Sequence, residues 1–172
     1  MSTINRTRLG LATFGHFLND CYSAFLTPLL PLLITKLSLS LTMASTLAAI
    51  PSFTSSVFQP LYGMASDRVQ GRVFMLVGPA MTVICMSFIG LAPHALVLAL
   101  LLIVAGIGTA AFHPQAVAAA GSSSGERRGF GVSFFGLGGN LGFALGPLVI
   151  IAAVQWFGLE RSGFIVLPGL VG

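Results

Sequence analysis

Residues 9–36 read LGLATFGHFLNDCYSAFLTPLLPLLITK. The run is long enough to cross a bilayer, whose hydrocarbon core takes about 20 helical residues. It holds no lysine or arginine before Lys36, yet His16, Asn19 and Asp20 stand near its middle. Asp20 would lie about 16 Å along the axis from Leu9, close to mid-bilayer. A charge there costs about 2.5–3.5 kcal/mol on insertion scales. Such a residue faces a bundle interior or a wet cavity.

The rest of the chain has the same character. Of its 172 residues, 55% are hydrophobic and 7% charged, against about 25% charged in soluble domains. That is too little charge to cover a water-facing surface, so lipid is the solvent for most of the protein. The apolar runs last about twenty residues without alternating, which excludes the short alternating strands of a membrane barrel and predicts an all-α polytopic membrane protein. Nucleic acid is not implied by the net charge of +4, which reflects arginines in short loops. Cys21 and Cys85 lie inside apolar runs and read as small buried side chains. The first run is too long for the h-region of a secretory signal.

Polar breaks divide the chain into helices at about 9–37, 41–65, 73–92, 95–120, 129–155 and 162–172. The last segment is too short to span and is expected to be an incomplete sixth helix. With a cytoplasmic amino terminus, the inside loops carry Arg6, Arg8, Arg68, Arg72, Arg127 and Arg128, and the outside loops only Lys36 and Arg161. This is a positive-inside bias. Prolines recur within the runs, and membrane helices tolerate the resulting kinks.

On a helical wheel at about 100° per residue, Asp20, Ser23 and Thr27 fall within about 40° of His16, and Asn19 lies about 60° away. One stripe of the first helix is therefore polar, a candidate substrate or proton path. Asp20 is the group expected to bind and release a proton, and His16, one turn away, to pair with it, relay to it or touch an anion. A hydrogen bond from Asp20 to a neighbouring helix is the plainer alternative. His113, in GIGTAAFHPQA (106–116), would lie at a depth similar to His16. It lines the same cavity or marks a helix end at the membrane surface.

The break GMASDRVQGR (63–72) sets Gly63, Asp67, Arg68, Gly71 and Arg72 in a specific pattern. Gly63 allows close helix approach, and Asp67 can accept bonds from free amides or pair with a basic group. This loop resembles the signature between helices two and three of the major facilitator superfamily. HFLNDCYSAFLTPLLPLL (16–33), SFTSSVFQPLYGMASDR (52–68) and GIGTAAFHPQA narrow the likeness to its fosmidomycin-resistance branch. The resemblance implies the amino-terminal half of a twelve-helix secondary transporter that works by alternating access. It implies that Asp67, Arg68 and Arg72 latch this half to a carboxyl-terminal half absent from the sequence.

GGNLGFALGP (138–147) places Gly138, Gly142 and Gly146 on one face, followed by Pro147. Small residues at this spacing permit close packing. The stretch resembles part of the motif of proton-coupled antiporters, with Ser133 and Ile150 where glycines are usual. Gly106 and Gly108 match the fourth-helix signature, but Leu102 stands in place of its usual arginine. His16, Asp20 and His113 therefore become the candidates for coupling.

The reading at this level is a proton-coupled efflux transporter of a bacterial inner membrane. It acts on a small drug-like or anionic molecule, of which a fosmidomycin-like antibiotic is the example the resemblance supplies. Its partners are that substrate, a coupling proton, the bilayer and the missing half. No cofactor or metal motif is apparent. The alternative is a truncated, non-transporting fragment or interaction partner whose contact surface would include the glycine face and the latch. A membrane enzyme is disfavoured, because no serine–histidine spacing or phosphate-cradling loop is present.

Overall fold

The computed structural model of the chain describes residues 3–65 and 71–172. Seven α-helices are present among them: α1 (Arg6–Ser23), α2 (Leu26–Leu37), α3 (Leu41–Ala65), α4 (Gly71–Phe88), α5 (Ala95–Ser122), α6 (Arg128–Phe157) and the short α7 (Val166–Val171). Two 3₁₀ segments, Ile89–Leu91 and Leu159–Ile165, lie at turns. Five candidate spans are long and apolar enough to cross a membrane, the first formed by α1 and α2 together.

The first run is thus two helices, where the sequence reading expects one. Pro28 explains the break. A proline ring clashes with the carbonyl four residues back and cannot donate to it, and that residue is Ala24. The chain tightens there into i→i+3 bonding, with the Phe25 amide donating to the Tyr22 carbonyl at 3.0 Å. At the other end of α1 the Asn5 side chain accepts from the Arg8 amide at 3.0 Å, which satisfies a free amide of the first turn. α2 stops at Ser38, which takes a left-handed backbone (φ 50°), and the Leu39 amide bonds back to the Ile34 carbonyl, a helix-closing arrangement.

The termini of the helices are tied at two ends of the bundle. At one, the Asn5 amide donates to the Ser123 carbonyl at 2.8 Å, so the start of α1 meets the α5–α6 turn. At the other, Lys36 Nζ donates to the Gly90 carbonyl at 2.8 Å and lies 3.7 Å from Glu160.

Glycines set the helix spacing. Side chains at Gly138, Gly142 and Gly146 of α6 would collide with the carbonyls of Thr13, Phe17 and Cys21 of α1, so α1 and α6 touch backbone to backbone. α4 and α5 meet reciprocally: a Cβ at Gly78 would stand 2.6 Å from the Gly108 oxygen. Gly106 brings α5 equally close to Pro51 of α3. This corrects the expectation that the glycine face of α6 is a surface for an outside partner, since α1 already fills it. Of the three departures from the usual motifs, Leu102 and Ile150 are fully buried among apolar side chains and Ser133 is exposed. Cys21 and Cys85 are buried free thiols.

Candidate functional site

The polar face of α1 turns toward α5. His16 Nε2 lies 3.1 Å from Asp20 Oδ2, and one helical turn separates the two residues. His113 of α5 reaches the same carboxylate, with Nε2 3.5 Å from Oδ1. The two imidazoles also face each other, Nε2 to Nε2, at 3.2 Å. Asp20 is 5% exposed and His16 8%.

Backbone carbonyls hold both rings. His16 Nδ1 lies 2.9 Å from the Phe135 oxygen of α6, and His113 Nδ1 lies 2.8 Å from the Thr109 oxygen. A carbonyl only accepts, so each Nδ1 carries the proton, and in the neutral ring each Nε2 presents a lone pair inward. Phe135 also stacks on His16, with centroids 4.0 Å apart. With both rings neutral, the atoms facing the centre are two imine nitrogens and two carboxylate oxygens, all acceptors. Acceptors at 3.1–3.5 Å repel one another unless a proton or a metal ion sits among them.

Asn19 lies beside the cluster, with Nδ2 donating to Asp20 Oδ1 at 3.0 Å. Its own Oδ1 is buried and accepts no bond among the described residues. Gly139 of α6 closes the other side. A Cβ there would collide with the His16 ring and come within 2.8 Å of Asp20 Oδ2. A line of hydroxyls continues from the cluster: Ser23 Oγ is 3.4 Å from Thr109 Oγ1, which is 3.3 Å from Thr82 Oγ1 of α4.

Asp20 and His113 open onto a cavity of about 590 Å³. Ser23, Thr27, Thr109 and Pro147 line it too, and Thr27 does so from α2, across the break at Ala24. The facing wall is α3, through Ser52, Ser55, Ser56 and Gln59. His16 and Asn19 stand behind the lining.

The latch residues fare differently. Asp67 and Arg68 lie outside the described residues. Arg72 is exposed at the start of α4. A side chain at Gly71 would come 2.7 Å from Gln115 Oε1, while no described neighbour lies within 4 Å of the Cβ position at Gly63. Gln115 Nε2 donates to the Tyr62 carbonyl at 3.2 Å and so joins α5 to the end of α3.

The sequence reading misses Gly139, Thr109, Phe135 and the α3 wall. Two of these carry a signal. Ser52, Ser55, Ser56 and Gln59 recur at helical spacing inside an apolar run, and Gly139 is a fourth glycine beside the three of the α6 face. Phe135 contributes a backbone carbonyl, which no side-chain pattern reports.

A family model for the Major Facilitator Superfamily matches residues 12–172. The chain belongs to the major facilitator superfamily. Among curated superfamily relatives, the Fosmidomycin resistance protein of Escherichia coli (strain K12) is 28% identical over 163 residues, covering 95% of this chain and 40% of that protein. The Uncharacterized MFS-type transporter YfnC of Bacillus subtilis (strain 168) is 30% identical over 134 residues, covering 78% of this chain and 33% of that protein. The chain thus spans about two fifths or less of the length of these relatives. It is an integral membrane protein of a transporter superfamily.

Proposed function

We propose that this chain is the amino-terminal half of a secondary active transporter that exports a small drug-like or anionic molecule in exchange for protons. The observation that carries this reading is the cavity between α1, α2, α3, α5 and α6, polar on a membrane-spanning wall and bearing Asp20 and His113. Polar residues at membrane depth lie on substrate and ion pathways. His16, Asn19, Asp20, Ser23, Thr27 and His113 form that path or its backing. Coupling to protons is supported by the antiporter-like glycines of α6, which seat that helix against the path-bearing α1. The name of the Escherichia coli relative supports a phosphonate antibiotic of the fosmidomycin type as cargo. Arg6, Arg8, Arg127 and Arg128 at one end of the bundle support a cytoplasmic amino terminus in a bacterial inner membrane. Asp67, Arg68, Gly71 and Arg72 form the latch to the carboxyl-terminal half.

The test is resistance of cells that express the chain joined to a carboxyl-terminal half. The intact protein should confer fosmidomycin resistance that a protonophore removes, and Asp20→Asn should abolish it at equal expression. Resistance unchanged by Asp20→Asn would take Asp20 out of the path. Resistance indifferent to the protonophore would take the proton out of the coupling.

A further inference from the structure

We propose that His16, Asp20 and His113 bind one divalent first-row transition-metal ion, with zinc as the reference case. Zinc is bound at about 2.0–2.1 Å by histidine nitrogen and about 2.0–2.2 Å by carboxylate oxygen. A tetrahedral shell of that radius has ligand–ligand edges of about 3.3–3.5 Å. The two imidazole nitrogens are 3.2 Å apart, His16 lies 3.1 Å from Asp20 Oδ2 and His113 3.5 Å from Asp20 Oδ1, and one ligand atom from each residue lies within 4.8 Å of the others, so an ion enters with a turn of the Asp20 carboxylate or with both of its oxygens bound. Two imidazoles and one carboxylate form a donor set suited to zinc and its neighbours.

The surroundings have the form that metal sites require. Ligating histidines donate their second ring N–H to a carbonyl or carboxylate, which fixes tautomer and orientation. His16 does so to Phe135 of α6 and His113 to Thr109 of α5. Asp20 is likewise held, by the Asn19 amide. Gly139 leaves the space into which the His16 ring and Asp20 Oδ2 fit. Among the described residues the cavity lining contains no lysine or arginine, so no side-chain cation competes for the cluster. Three protein ligands leave a fourth position, and Asp20 and His113 present that side to the cavity. The ion reverses the sign of this wall from negative to positive and makes it a receptor for an oxyanion. That last consequence rests on reading the cavity as the cargo path, whereas the binding of the ion does not.

The spacing explains why the site has no motif in the sequence. Its ligands come four residues apart on α1 and then 97 residues later on α5.

The experiment is titration of the chelator-stripped 172-residue chain in detergent micelles with Zn²⁺, and separately with Co²⁺, whose visible bands report tetrahedral nitrogen and oxygen ligation. One Zn²⁺ per chain should bind saturably. Loss of an outer-shell partner weakens metal sites by about 10–100-fold, so loss of a ligand in Asp20→Asn or His113→Ala should weaken binding by about 100-fold or more. His94→Ala, at the exposed start of α5, should leave it unchanged. Helical circular dichroism and monodispersity accompany every variant, and His113→Gln replaces any that fails to fold. Absence of saturable Zn²⁺ binding by the folded chain would overturn the proposal and leave the cluster to protons alone. Equal affinity in Asp20→Asn and His113→Gln would overturn it as well, by placing the ion elsewhere. Neither result depends on transport, so the functional reading stands or falls separately.

Discussion

The two faces of α1 are built by opposite means. Toward α6 the contact is backbone on backbone: Gly138, Gly142 and Gly146 lie over the carbonyls of Thr13, Phe17 and Cys21. Toward α5 the contact is made by polar side chains: Asp20 and His16 with His113, and Ser23 with Thr109. At these three glycines the first face has no rotamers to change and admits no added atom, and beside them His16 bonds to and stacks on Phe135 of α6. The second is made of groups that can rotate, exchange a cation and open onto a cavity. A helix held in this way can keep one neighbour fixed while its chemistry faces another.

The difference is most sharply tested at Gly142. Gly142→Ala places a methyl group against the Phe17 carbonyl and the Cys21 amide. Overpacking a close contact costs typically 1–3 kcal/mol and occasionally more, and backbone atoms cannot step aside. We expect about 3 kcal/mol, read as a lowered unfolding midpoint in mixed micelles. Gly136→Ala on the same helix, where a Cβ meets open space, should leave the midpoint unchanged or raise it. Equal effects at the two positions would break the distinction between the faces.

Gly139→Ala should fall between them. Its new methyl group strikes the ends of the His16 and Asp20 side chains, which can swing aside. We expect a stability loss of about 1 kcal/mol. The Nδ1–H bond of His16 to Phe135 should disappear from nitrogen-15 spectra of the imidazoles, while the α1–α6 seam survives.

A smaller effect is expected for Ser23→Ala. Side-chain hydrogen bonds between membrane helices average about 0.6 kcal/mol, and the Ser23–Thr109 contact is long at 3.4 Å. A loss of about 0.5 kcal/mol in the same unfolding assay is the expected result. The floor is set by Glu160→Gln. Glu160 is 82% exposed and 3.7 Å from Lys36, and exposed pairs contribute little. No measurable change should follow, because Lys36 keeps its bond to the Gly90 carbonyl.

The helical, membrane-spanning architecture was legible in the sequence because apolar run length and charge placement act locally along the chain. The glycines at 138, 142 and 146 announced a smooth face, but not which helix would cover it. The break at Ala24 follows from Pro28 by a local rule, yet a proline inside a membrane span usually bends it without ending it, so run length alone reads as one helix. The polar stripe from His16 to Ser23 was visible by periodicity. The meeting of His16 with His113 joins positions 97 residues apart and depends on how α1 crosses α5. Least legible of all was the Phe135 carbonyl that fixes the His16 tautomer, since every residue has a carbonyl and only packing chooses one.

Cys21 lies beneath the α1–α6 seam, and Cys85 is buried within α4. A water-borne maleimide reaches neither while the helices stay together. The rate at which these thiols react is therefore a built-in clock for bundle opening. A third cysteine placed on an exposed position can carry a probe without first removing the native pair.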